Sequence, residues 1–474
     1  MRSLFLQAPS FDGYDGGAGS RYQAKREIKS FWYPTWLAQP AALVENSTLV
    51  DAPAHDLSFD DVKHHATAHD LMILHTSTPG FKADVKTAEM MKALNPNLKV
   101  GMIGATVAVD ADWAMKHAHS VDFVARNEFD FTIKDVADGM SFADIKGISY
   151  RNSEGIVIHN DDRDVLMNMD SLPFVSPIYK RDLKMENYFI GYLKHPYVSF
   201  YTGRGCKSRC TFCLWPQTVG GHNYRVRSVG HVIEEVKYVL KEFPQMKELF
   251  FDDDTLTDNL PRVEELAREL GKLGVTWSCN AKANVPYATL KILRDNGLRL
   301  LLVGYESGNQ QILHNIKKGL RIETAKQFAK DCRALGIVIH GTFIMGLPGE
   351  TKETIQETIA YAKEVNPHTI QVSLAAPYPG TFLYKQAIEN GWFDGTHDMV
   401  ADGGGQIAQL TYPHLASDEI FDAVAEFYKK FYFRPSKIGS IVAEMATSPT
   451  MMKRRLREGV EFFDFLRNRN VEAA

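Results

Sequence analysis

Along roughly the first 130 residues, short apolar runs alternate with stretches whose apolar positions recur at helical spacing. The runs SLFLQAP (3–9), STLVDAP (47–53), LMILHTSTPG (71–80) and KVGMIGAT (99–106) are rich in strand-forming residues and end in Pro, Gly, Thr or Ser. Between them lie amphipathic pieces, including WLAQPAALVEN (36–46) and DVKTAEMMKALN (84–95). A short strand, VDFVARNE (121–128), follows. This rhythm predicts a doubly wound, Rossmann-like α/β domain over 1–140, with ligands at the carboxyl ends of its parallel strands.

From about 140 to 195 the texture changes. ISYRNSEGIVIHNDDRD reads as a hairpin and DSLPFVSP (170–177) as a linker, so 141–195 is expected to join two domains. Longer β/α units then resume. Candidate strands are YVSFYTG (197–203), ELFFDDD (248–254), TWSCNA (276–281), LLLVGYES (300–307), IVIHGTFIMG (337–346) and IQVSLAAP (370–377). Helical patterns such as HVIEEVKYVLKEF and VEELARELGKLG fill the gaps. Six such units over 196–400 predict a partial (β/α)6 barrel of the TIM type, with chemistry at the carboxyl ends of its strands. Residues 401–474 are expected to form a helical extension, in which DGGGQ (402–406) is a loop and Ser417 with Asp418 caps a helix through FDAVAEFYKKFYF.

Composition narrows the function only a little. The chain has 474 residues, 45% hydrophobic and 24% charged, with a formal net charge of −4. It therefore has no global basic field for nucleic acid. No run approaches the roughly 20 apolar residues of a membrane span, and no signal core follows MRSLFLQAP. Five cysteines, three of them clustered, do not make a disulfide framework, and a reducing cytoplasmic setting is expected.

The chemistry is concentrated in GRGCKSRCTFCLW (203–215), where Cys206, Cys210 and Cys213 are spaced C-x3-C-x2-C directly after the first barrel strand. Three thiolates can hold three irons of a 4Fe–4S cubane, a cluster that ordinarily takes four cysteines, which leaves one iron without a protein ligand. A structural zinc site with a distant fourth ligand such as His222 is the alternative. Simple packing of three cysteines fits less well, because Lys207, Ser208, Arg209 and Thr211 between them are polar. Cys279 and Cys332 have no partners by spacing and read as buried thiols.

C-x3-C-x2-C, with Phe212 just before the last cysteine, resembles the radical SAM superfamily. The resemblance implies that S-adenosylmethionine chelates the open iron and is cleaved by one electron to a 5′-deoxyadenosyl radical. The electron would come from a flavodoxin- or ferredoxin-type donor. It also implies roles for other barrel positions. Asp252, Asp253 and Asp254 in FFDDDT would meet the SAM amino group or ribose, although a helix cap with solvated charge explains such a triplet equally simply. Lys282 in NAKAN would lie near the SAM carboxylate. Glu306 and Ser307 in VGYESGNQ would bind ribose hydroxyls. Gly346, Leu347 and Pro348 in GTFIMGLPGET would flank the adenine, the glycines letting the chain approach closely, and PYPGT (377–381) recurs in these relatives.

A doubly wound domain ahead of such a barrel resembles the cobalamin-binding subclass of that superfamily. Thr76, Ser77 and Thr78 end one strand and Gly104, Ala105 and Thr106 its neighbour, and together they are the candidate slot for cobalamin. RNEFD (126–130) resembles the subclass's R-G-E-x-E turn, with Asn127 in place of glycine beside Glu128. His75 reads as a packed strand-end residue. FWYPTW (31–36) either faces the corrin or packs at a helix entry, and GYDGGAGSR (13–21) imitates a phosphate loop weakly. The stretch FLQAPSFDGYDGGAGSRYQAKREIKSFWYPTW is similar to a branch of the subclass in hopanoid biosynthesis. That likeness implies a glycosylated hopanoid substrate, glucosaminyl-bacteriohopanetetrol, whose sugar ring is contracted to a five-membered cyclitol ether. Methyl transfer to an unactivated carbon of a lipid or natural product is the alternative activity. A lipid substrate implies peripheral contact with the inner membrane, for which the tail's Phe427, Tyr428, Phe431, Tyr432 and Phe433 beside lysines are candidates. The competing reading of that tail is a helical cap closing the barrel.

Overall fold

The computed structural model describes residues 1–11, 30–396, 399–400 and 405–446, and beyond these residues 452, 453, 455–457, 459, 460 and 463. The GYDGGAGSR loop and most of DGGGQ lie outside the described residues.

Seven strands make the first sheet: β1 (Ser3–Gln7), β2 (Ser47–Asp51), β3 (Leu71–His75), β4 (Lys99–Ile103), β5 (Phe123–Ala125), β6 (Ile148–Arg151) and β7 (Val157–His159). Their order is β2-β1-β3-β4-β5-β6-β7. The first five run parallel, in register Phe5↔Leu49 and Phe5↔Ile73, and the last two are antiparallel. Leu71 to Leu74 are buried without alternation, as a central strand covered on both faces requires. The winding order reverses between β1 and β3, the place where sheets of this kind bind a ligand above their strand ends. The hairpin expected in the linker is part of this sheet: Ser149 pairs with Val124 and extends it by two strands.

The second sheet is built from β8 (Tyr197–Phe200), then, after the two-residue strands β9 (Gly203–Arg204) and β10 (Arg225–Val226), from β11 (Glu248–Phe251), β12 (Trp277–Ala281), β13 (Leu298–Glu306), β14 (Val338–Met345) and β15 (Thr369–Leu374). Its order is β15-β14-β13-β12-β11-β8, all parallel. All six strands expected from the sequence are present in sequential order, an open sheet of half-barrel type with β8 and β15 at its edges. The two short strands form a separate antiparallel ribbon on the connection after β8.

Helix Ser417–Tyr432 covers the β15 edge. Phe427 and Phe431 are fully buried, while the Tyr428 and Tyr432 hydroxyls accept hydrogen bonds from Val372 N (2.9 Å) and Ile370 N (3.1 Å). A strand edge is thereby blocked against further pairing. This corrects the expectation of a membrane-facing aromatic row: of the five residues, Phe433 is the exposed one. The helix starts at Ser417, one residue earlier than a Ser417 cap requires, so Ala416 holds the cap position and Glu419 accepts from Ala416 N at 2.9 Å.

One apolar core is continuous from Phe5 on β1 to Phe431 and so joins the two sheets, and a second fills the other face of the first sheet. FWYPTW belongs to the first. Tyr33 packs among Tyr179, Tyr188 and Tyr197 and donates to Tyr197 O (2.9 Å), and the Trp32 ring lies 5.4 Å from that of Phe250. The packing reading describes Tyr33, while Trp36 stacks on Trp215 beside the cysteine loop.

Candidate active site

The cysteine loop leaves β9 at the carboxyl edge of the second sheet. Cys206 and Cys210 are buried and Cys213 half-buried, and none is in a disulfide. Intervening polar residues hold the loop by its backbone. Gln217 donates to the carbonyls of Cys210 (3.1 Å), Thr211 (3.2 Å) and Cys213 (2.7 Å). Thr211 N donates to Ile316 O and Thr211 O accepts from Leu383 N, each at 2.9 Å, which ties the loop to segments after β13 and β15. His222, considered as a zinc ligand, has its Nδ1 on Ser208 O at 2.8 Å. Among the described residues, no three His, Cys, Asp or Glu side chains converge tightly enough to share one metal ion. Thiolates that bind three different irons of a cubane do not need to converge on one ion.

Charged groups ring this loop. Asp258 accepts from Lys207 N (3.1 Å), lies 3.6 Å from Cys206 Sγ and pairs with Lys282 Nζ at 2.6 Å. Lys318, 12% exposed, pairs with Glu306 at 2.6 Å. Burial alone would lower the Lys318 pKa, but Glu306 and Cys210 outweigh it and raise it. Burial raises the Cys210 thiol, with Lys318 pulling the other way. Glu306 has φ +63, a left-handed backbone at a bulge between β13 and β14, costing roughly 1–2 kcal/mol for a residue with a Cβ. Asp258 and Lys318 were not singled out from the sequence. Each lies past the end of its strand, and no local spacing marks which side chain a loop turns inward.

The three expected aspartates separate. Asp252 receives Asn280 Nδ2 at 3.3 Å, and Asp254 is half-buried. Asp253 is fully buried beneath the site, accepting from Thr202 N (2.6 Å), Thr202 Oγ1 (2.7 Å) and Tyr224 OH (2.6 Å). Both its oxygens are thus spent on the scaffold, which corrects its expected contact with a ligand. Phe212 packs against the core, and Ser307, fully buried, lies 3.2 Å from Thr358 Oγ1.

At the end of β14, Gly346 has φ +84, but the space a Cβ would take is filled by Ile420 Cγ2 at 2.7 Å. The glycine makes room for the C-terminal helix. Gly346 N donates to Glu350, whose carboxyl is fully buried and pushed up to about 8 by burial, with Gly346 and Leu347 N–H groups opposing. Leu347 is buried, and Pro348 helps line a pocket of ≈ 410 Å³ with Asn315, Trp392, Tyr412 and His414.

The first domain meets this loop directly. His75, at the end of β3, stacks on Trp215 (6.4 Å, 20°), and Trp215 on Trp36 (4.9 Å, 12°). Helix Ala105–Val109 packs on helix Leu214–Thr218. His75 Nε2 is buried with no partner among the described residues, and burial lowers its pKa to about 4, so the ring is neutral. In the candidate slot, Thr78 Oγ1 and Thr106 Oγ1 are 2.7 Å apart and Thr76 is buried, with Ser77 and Ala105 beside them. Gly104 has φ +131, and a Cβ there would lie 2.1 Å from Thr76 O. An orphaned imidazole nitrogen at the strand ends and a hydroxyl-lined turn suit a bound polar group.

Asn127 takes the left-handed turn expected of the glycine it replaces (φ +53). Glu128 does not face a cofactor. Both its oxygens are bound by Arg225 of β10 at 2.7 Å, and Arg204 of β9 pairs with Asp130. The Glu128 side chain therefore clamps the two domains together, in place of the cofactor contact expected of it.

Residues 200–362 match the family model described as the Radical SAM superfamily. The chain is 29% identical to a protein of Pyrococcus horikoshii named as an uncharacterized methyltransferase, over 87% of this chain and 90% of that one. It is 27% identical to the anaerobic magnesium-protoporphyrin IX monomethyl ester cyclase of Rubrivivax gelatinosus, over 81% and 70% of the two chains. Its fold is similar to that of TsrM, a radical S-adenosylmethionine methyltransferase of Kitasatospora setae solved with cobalamin and a [4Fe-4S] cluster (TM-score 0.70, 13% identity, 100% and 99% of the chains). It is also similar to that of the cobalamin-dependent S-adenosylmethionine radical enzyme OxsB (TM-score 0.70, 15% identity, 98% and 72%).

Proposed function

We propose that this chain is a cobalamin-dependent radical SAM enzyme that transfers a methyl group to an unactivated carbon of a lipid or natural product. The observation that carries the proposal is the junction of the two domains. A loop with three unbridged thiols opens at the strand ends of a radical SAM domain, and the strand ends of a doubly wound domain pack onto it through His75, Trp215 and Trp36. Cys206, Cys210 and Cys213 would hold a 4Fe–4S cluster. Lys282, Glu306 and Asp252 would receive S-adenosylmethionine, and the turns at Thr76–Thr78 and Gly104–Thr106 would receive cobalamin. Bound there, these groups supply one-electron cleavage of SAM, hydrogen abstraction and a methyl carrier.

The chain's own residues bind, orient and exclude water. Gln217 fixes three carbonyls of the cysteine loop, so the thiols keep their directions. Lys318 holds Glu306 in place through their ion pair, beside which its carboxylate would be an acceptor for ligand hydroxyls. Asp258 neutralises Lys282 until an incoming carboxylate competes for it. The similarity to proteins of Pyrococcus horikoshii and Kitasatospora setae that are named as methyltransferases supports the methyl-transfer reading.

A second reading, ring contraction of glucosaminyl-bacteriohopanetetrol to its cyclitol ether, is favoured by the likeness of residues 5–36 to the hopanoid branch, of which 12–29 lie outside the described residues. One experiment separates the two. Anaerobically reconstituted protein is given SAM, reductant and the glycosylated hopanoid, with and without hydroxocobalamin, and products are followed by mass. Methyl transfer yields S-adenosylhomocysteine together with 5′-deoxyadenosine, and a substrate heavier by one methylene. Ring contraction yields 5′-deoxyadenosine without S-adenosylhomocysteine. Cluster-loaded protein that cleaves no SAM, behaving like its Cys210→Ala variant, would refute both.

A further inference from the structure

Helix Pro435–Met445 is inside out. Its buried residue is Lys437, whose Nζ donates to Pro367 O at 2.8 Å and sits 5.2 Å from the Phe431 ring. Its large apolar residues Ile438 and Val442, one turn apart, are 46% and 57% exposed. The described residues between 452 and 463 are helical, and Met452, Leu456, Val460 and Phe463 are exposed as well. Their spacing of four, four and three residues places them on one face. The Phe433 and Phe463 rings, 6.1 Å apart, bring the two helical segments' stripes together, and Arg455 donates across to Glu444 at 2.8 Å.

A water-facing helix ordinarily turns such a stripe inward, and contiguous exposed apolar surface of this kind marks an interaction site. The charge around it is net positive. Residues 429–474 hold ten Lys and Arg against five Asp and Glu, in a chain whose net charge is −4. Lys429, Lys430, Lys453 and Arg457 are exposed near the stripe. Among the described residues, no helix is long and apolar enough to cross a membrane.

We propose that this C-terminal pair of helical segments is an interfacial membrane-binding surface. Its apolar stripe enters the boundary between headgroups and acyl chains of an anionic bilayer, and its cations lie at the level of the phosphates. A second copy fits poorly, because its own cations would meet these across the contact. The surface needs no cofactor, so vesicle binding and turnover can fail independently.

The test is co-sedimentation of the full-length, cluster-loaded protein with vesicles of phosphatidylcholine alone or mixed with phosphatidylglycerol. Binding to the anionic vesicles, weakened by salt, is expected. The double variant V442D/V460D should lower partitioning about tenfold or more, since each site loses the burial of a Val side chain. K429Q/K453Q, which alters exposed charge and no packing, should weaken binding to anionic vesicles and flatten its salt dependence. Absence of wild-type binding, equal binding to both vesicle types, or binding untouched by either variant overturns the proposal. So does a wild-type dimer that V442D/V460D dissociates without any vesicle association, which would assign the stripe to a second copy.

Discussion

Removing the Glu128 carboxylate should loosen the first domain from the second. Arg225 is 3% exposed and donates to both oxygens of Glu128 at 2.7 Å, while Glu128 also accepts from Leu166 N at 2.9 Å. Arg225 has other acceptors, Leu166 O (2.7 Å) and Gly220 O (2.8 Å), but among the described residues no second carboxylate at hydrogen-bond distance. Glu128→Ala therefore strands a guanidinium in a buried junction, which costs about 3–5 kcal/mol, against roughly 0–1 kcal/mol for an exposed pair. With a urea slope near ~3 kcal/mol per M, the midpoint falls by roughly 1–1.7 M. Trp36 and Trp215, stacked across the same junction, make fluorescence the natural probe. The double variant E128L/R225M should lose less than Glu128→Ala alone, because an apolar pair replaces the ion pair and leaves no buried charge. A loss below about 1 kcal/mol for Glu128→Ala, adding simply to that of Arg225→Met, would refute the clamp.

Two further outcomes follow from buried groups. Glu350 has its carboxyl pushed by burial from 4.5 to about 8, so between those values the folded chain keeps a proton that the unfolded chain has released. Its contribution to stability accordingly falls as pH rises from 4.5 to about 8 and is level above, by up to about 1.4 kcal/mol per pH unit. Glu350→Gln should gain on the wild type across that window in urea titrations at several pH values; a difference that stays constant with pH would rule the mechanism out. At the β15 edge, Tyr432→Phe leaves Ile370 N without its acceptor, costing about 1–3 kcal/mol and speeding exchange of that amide. An unchanged exchange rate at Ile370 would mean that the helix does not seal the strand.

What the sequence made legible is what local period and spacing encode. β3 announces itself because four consecutive apolar residues need cover on both faces, and the six second-sheet strands because each is a short β-rich run separated from the next by a helical pattern. The three cysteines stand out because their spacing has no packing rationale among polar neighbours. Partners at long range were not legible. Glu128 and Arg225 are 97 residues apart, and Asp253 meets Thr202 across 51, so their candidate roles came from position in a motif while the fold gave them other acceptors and donors. Gly346 shows the same limit from the other side. A positive φ is a property of one residue and was foreseeable, but whether the space beside it holds a ligand or Ile420 depends on a helix 74 residues away.

The C-terminal segments carry that argument to its end. Aromatic residues beside lysines from 427 to 433 read as a surface, yet four of the five are used by β15 and the core, because a half-barrel has an edge that must be covered. The residues left facing water lie further on, where Ile438 and Val442 point outward around a buried lysine. Helical period fixes which residues share a face. It does not fix which face turns to the protein, and here the neighbour Phe431 with the Pro367 carbonyl claims the lysine side. An apolar face left over after the fold has met its own needs therefore points to a partner outside the chain.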